Sequence, residues 1–117
     1  MLAKTLRLPS SEFRKLKKYG QVLPGKEFLV SYVRPNFPAG VRFGFVIGKI
    51  VTKKATQRYL IKRRLSAAVS SFVIRNSEAL REITLYVCFI VRSPILMRNY
   101  EELDSLVDKA LSTIFKL

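Results

Sequence analysis

The stretch Ile83 to Arg92 (ITLYVCFIVR) constrains the fold of this chain more than any other. Apart from Thr84 and Arg92 its side chains are apolar or aromatic, so no alternation assigns one face to water. Such a strand needs cover on both faces, which places it centrally in a sheet. The rest of the chain must therefore supply flanking strands and layers packed against them. With 117 residues these parts belong to one domain, residues 1–117. Hydrophobic residues make up 49% of the chain, enough for a core without disulfides or metals.

Local patterns supply the other elements. Pro9-Ser10-Ser11-Glu12 is a helix start, with a serine able to cap free N–H groups and an acid near the positive helix end. That helix runs through Phe13 and Leu16 and stops near Gly20. Glu27 to Arg34 alternates and is rich in β-branched and aromatic residues, as a strand should be. Pro35, Asn36, Pro38 and Gly40 break it, and Val41 to Lys49 reads as a second strand, antiparallel to the first across that turn. From about Lys54 to Val73, Ile61, Leu65, Ala68, Val69 and Phe72 share one helical arc, while Arg58, Tyr59, Lys62, Arg63 and Ser66 share the next. Residues 75–82 read as a loop with a helical turn. Asn99 and Glu102 have capping-box spacing ahead of a last amphipathic helix containing Leu103, Val107 and Leu111. The order α-β-β-α-β-α predicts an α/β (α+β) two-layer sandwich with a small central sheet.

Charge narrows the function. There are 22 Lys and Arg against 8 Asp and Glu. Residues 1–77 hold 17 of the bases and 2 of the acids, and no acid occurs between Glu27 and Glu78. A domain this basic repels itself, so a polyanion is the expected partner, met through the N-terminal two-thirds. With no histidine, histidine-based acid–base catalysis and histidine metal sites are excluded. Cys88 lies in the most apolar strand, where a small core residue is expected rather than a nucleophile. Glu101, Glu102, Asp104 and Asp108 fall on the polar side of the last helix and read as its solvated face, so no metal ligands are assigned. No catalytic set emerges, and what remains is a phosphate-binding surface. Phe13, Tyr32 and Tyr59 are the aromatics nearest the basic segments, each a stacking candidate or a packing residue. The lone cysteine and the lack of a signal-peptide core or membrane-length apolar run lead us to expect a soluble cytoplasmic protein.

Residues 42–65, RFGFVIGKIVTKKATQRYLIKRRL, resemble the central part of the bacterial ribonuclease P protein. That family has a strand with an R-x-G pattern, a lysine pair, a connector and a helix reading approximately A-x-x-R-N-R-x-K-R. Arg42 and Gly44 match the strand, Lys49 the first lysine, and Ala55, Arg58, Lys62 and Arg63 the helix. The resemblance extends to Ser11, Glu12, Phe13, Gly20, the strand Phe28 to Val33, the apolar strand before Arg92, and Tyr100. The chain departs at Tyr59 and Leu60 for the family's asparagine and second arginine, and at Ile50 for the second lysine. It also departs at Ser66 for an arginine, and at Lys17 and Ser31 for aromatics; Lys53, Lys54 and Arg64 restore some charge.

The resemblance implies a sandwich with an unusual left-handed βαβ crossover, against the usual hand. It implies an accessory subunit of a ribonucleoprotein endonuclease in which the RNA removes the 5′ leader of precursor tRNA. The partners implied are ribonuclease P RNA and precursor tRNA, with no obligate protein partner. Mg2+ would be held mainly by RNA phosphates. Lys49, Lys53, Lys54, Arg58, Tyr59, Lys62 and Arg63 would contact RNA, and Phe13, Lys17, Leu29 and Ser31 would line the leader cleft. The alternative is a general RNA-binding or ribosomal-type protein with no part in cleavage.

Overall fold

In the computed structural model, which describes residues 2–117, the apolar strand takes the central place its composition demands. It spans Leu85–Val91 and is named β4 in chain order. Before it come α1 (Phe13–Tyr19), β1 (Gln21–Leu23), β2 (Phe28–Val33), β3 (Val41–Val46), α2 (Ala55–Arg75) and a one-turn α3 (Ser77–Leu80). The last helix, α4, spans Tyr100–Phe115. The sheet order is β1-β2-β4-β3, with β2 antiparallel and β3 parallel to β4. β3, α2 and β4 are thus the βαβ unit of the sandwich.

Both faces of β4 are covered, by different layers. Leu85, Val87, Phe89 and Val91 join Phe28, Val30 and Phe43 in the main core beneath α2 and α4. Tyr86 and Cys88 form a smaller cluster with Leu8 and Leu16 beneath α1. α2 buries Ile61, Leu65, Ala68, Val69 and Phe72 as its arc predicts, and α4 buries Leu103, Val107, Leu111 and Phe115 at every fourth position. The ring of Phe115 stacks on Phe72 with centroids 6.0 Å apart, joining the two helices. The capping box of α4 is formed in full. Asn99 Oδ1 accepts from the Glu102 N–H at 2.8 Å, and Glu102 Oε1 accepts from the Asn99 N–H at 3.0 Å.

Several expectations are corrected. β2 and β3 do not pair across their turn, because β4 lies between them. The central place goes to the strand with the most to bury on both faces, so the turn spans a strand rather than closing a hairpin. The short strand β1, exposed at Gln21 and Val22, carries no burial alternation and had no sequence signal. The serines at the first helix make no side-chain cap; Ser10–Glu12 is a 3-10 turn leading into α1. Gly20 ends α1 with an extended φ of −70°, not a left-handed one. Its reason is space, since a Cβ there would collide with Ser31 Oγ and the Leu16 carbonyl.

The edge of β3 is not left bare. The Leu8 N–H donates to the Phe43 carbonyl at 2.9 Å, and Arg7 bridges Phe43 in parallel. Arg42 holds this N-terminal segment in turn, with Nη1 3.5 Å from the Arg7 carbonyl. Covering an edge in this way blocks pairing with other chains.

Candidate nucleic-acid interface

The connector after β3 and the first half of α2 carry most of the predicted cations. Lys49, Lys53, Lys54, Lys62 and Arg63 are all exposed. Among the described residues none of them has a carboxylate within salt-bridge distance; the five ion pairs lie elsewhere. The first turn of α2 holds no acid and its N-cap makes no side-chain bond. Cations at the positive end of a helix are locally unfavourable, and a bound phosphate would relieve both the dipole and the lysines. Tyr59, 55% exposed, stands among them with its ring available for stacking.

Arg58 behaves differently from its neighbours. It is half-buried, and its Nη1 donates to the carbonyls of Thr52 at 2.9 Å and Lys53 at 3.0 Å. The guanidinium therefore ties the connector to the helix start, so it positions Lys53 and Lys54 as well as adding charge. Ser66 is not on the cationic arc as expected. It is 2% exposed, its hydroxyl donates to the Lys62 carbonyl at 2.7 Å, and it lines the same hollow as Leu2 and Arg7 of the N-terminal segment.

The predicted cleft residues separate into two groups. Phe13 is half-buried, its ring lying against Gly44 at the point where a Cβ would come within 2.6 Å of it. Lys17 is exposed on α1, and Leu29 is half-buried beside Ile90, its register partner on β4. Val46, aligned with Ile90 from the other side, extends this apolar floor towards the connector. Ser31 lies on the same face of β2 as Leu29, two residues on, but is covered by α1. It is 1% exposed and donates to the Leu16 carbonyl at 2.5 Å, docking α1 on β2. Cys88 shares this layer. Burial pushes its thiol up to about 11, against a smaller opposing pull from the Lys17 charge, which leaves it a neutral core group.

A pocket of about 250 Å3 at the β3 edge joins the two halves of the interface. Phe13, Leu8 and Gly44 wall it on the α1 side, and Lys62 reaches it from α2. Arg7 also lines it, a cation that no local pattern could assign, since only the bridge to Phe43 places it there. Among the described residues no group of three His, Cys, Asp or Glu side chains could hold a metal ion. That donor set does not fit a protein-held metal.

The family model for Ribonuclease P matches residues 2–114. The chain belongs to the Ribonuclease P protein family. As a family member it is a protein component of ribonuclease P, an endoribonuclease of tRNA processing, with RNA binding as its chemistry and ribonuclease P RNA as its partner. Solved structures agree on the fold. A Staphylococcus aureus RNase P protein mutant with defective mRNA degradation activity matches with a TM-score of 0.75 and 18% identity, over 97% of this chain and 90% of that one. The Thermotoga maritima RNase P protein matches with a TM-score of 0.61 and 24% identity, over 88% of this chain and 96% of that one. The Thermotoga protein in complex with 1-(4-fluorophenyl)-2-thiourea gives a TM-score of 0.63 at 22% identity, over 88% and 98% of the two chains. No match is found among curated protein sequences. No helix among the described residues is long and apolar enough to cross a membrane.

Proposed function

We propose that this ribonuclease P protein assists magnesium-dependent removal of the 5′ leader from precursor tRNA by binding both the catalytic RNA and the leader. The observation that carries the reading is the set of uncompensated cations on the connector and α2, one of which, Lys62, lines the hollow beside Phe13. Lys49, Lys53, Lys54, Lys62 and Arg63 neutralise RNA phosphates, with counterion release as the source of affinity. Phe13, Lys17 and Leu29 hold the leader, with Tyr59 stacking nearby. The reactive chemistry is the RNA's own. Magnesium sits on RNA phosphates, because this chain supplies carboxylates only away from the cationic surface. The site of action is the cytoplasm.

The test is reconstitution with a ribonuclease P RNA and a precursor tRNA at low magnesium. Release of the leader should rise on adding the protein and should not occur with protein alone. Binding without any rise would leave a structural RNA-binding protein and end this reading.

A further inference from the structure

The end of the sheet away from the connector carries a second surface of aromatics and cations that the interface above does not use. β3 and β4 run in parallel, so the Ile90 and Val46 end faces the connector and the Tyr86 and Val33 end lies opposite. The six residues of β2 between these ends span about 20 Å.

At the far end Tyr19 and Phe37 are 71% and 54% exposed. Arg34 and Tyr19 stand between two hollows that share them as walls. One, of about 540 Å3, continues past Tyr32 to Lys116. The other, of about 380 Å3, continues to Phe37, whose ring is held edge-on by Tyr86. The Lys18 ammonium lies 5.4 Å from the centre of the Tyr19 ring. Among the described residues Lys18, Arg34 and Lys116 have no acidic partner within salt-bridge distance. One acid, Glu12, lines the smaller hollow, and it is paired with Lys15 at 3.5 Å.

Exposed rings interleaved with free cations suit unpaired bases on a charged backbone, and a duplex would hide its base faces from them. We infer that this surface binds a short single-stranded RNA segment, with bases stacked on Tyr19 and Phe37 and phosphates on Arg34, Lys18 and Lys116. The chain then grips RNA at both ends of its sheet. The inference rests on the RNA-binding reading above for the nature of its polyanion, and on nothing in leader cleavage.

The test uses the full chain, a labelled oligoadenylate and a blunt-ended RNA duplex. In amide NMR spectra oligoadenylate should shift Tyr19, Arg34 and Phe37, and the duplex should shift them much less. Tyr19→Ala should weaken oligoadenylate binding about tenfold, while Tyr19→Phe, which keeps the ring, should not. Arg34→Gln should flatten the logarithmic salt slope by about 0.7, the loss of one single-strand phosphate contact. Unchanged affinity in Tyr19→Ala, shifts confined to α2 and the connector, or equal shifts with the duplex would each overturn the inference. Should Tyr19→Ala fail to fold, the spectra of the unaltered chain still decide. Leader release is not read in any of these measurements, so this site and the cleavage reading fail separately.

Discussion

Gly44 has no side chain, and the ring of Phe13 occupies the space one would need. Its place in the R-x-G pattern is thus explained by a contact with a residue 31 positions earlier in the sequence. Gly44→Val should displace the ring and cost about 1–3 kcal/mol, the usual range for overpacking. Urea unfolding measures this, and a variant as stable as the parent would mean the ring has room to move. Arg58 and Lys62, alike in the sequence, separate by the same kind of reasoning. Lys62→Ala should leave stability unchanged and reduce the salt slope of RNA binding by about 0.9 on duplex-like RNA. Arg58→Ala also frees the Thr52 and Lys53 carbonyls, so it should loosen the connector and weaken RNA binding more than loss of one charge does. Hydrogen exchange at residues 52–54 reads the loosening directly.

Among the elements, α4 is the one whose start is set by its own residues. Asn99→Ala removes the acceptor for the Glu102 N–H and should cost about 1 kcal/mol, seen as a lower unfolding midpoint. β4 owes its place to composition, and its cysteine records the result. With the Cys88 thiol held protonated to about 11 against an ordinary 9.0, folding favours the neutral form. The raised value means that this contribution to stability is intact below the ordinary range and is lost as pH rises from about 9 towards 11. Iodoacetamide at mildly alkaline pH should therefore label the urea-unfolded chain quickly and the native chain slowly. Equal rates by mass spectrometry would show that β4 is open to solvent on the α1 side.

Considered as a whole, the molecule is a β3-edged sheet whose exposed side is closed by its own N-terminal segment. Removing residues up to Leu8 uncovers the Phe43 carbonyl and takes away two buried leucines, Leu2 and Leu8, that pack against the sheet. The shortened chain should self-associate through that edge, visible as a higher sedimentation coefficient. A monomer would show that the edge needs no cover.

What the sequence by itself determined were properties carried by near neighbours along the chain. The two long helices and their buried arcs, the capping box, the central rank of Leu85–Val91 and the basic surface of Lys53 to Arg63 all follow from periods of two or about 3.6 residues and from charge. So does the exclusion of histidine chemistry. Only the tertiary structure decided the strand order, the existence of β1, the burial of Ser31 and Ser66, the engagement of Arg58, and the arrival of Arg7 beside Lys62. Each of these depends on what a side chain meets once distant segments are packed together. A hydroxyl or a guanidinium looks the same in the sequence whether it faces water or a carbonyl, and folding makes that choice.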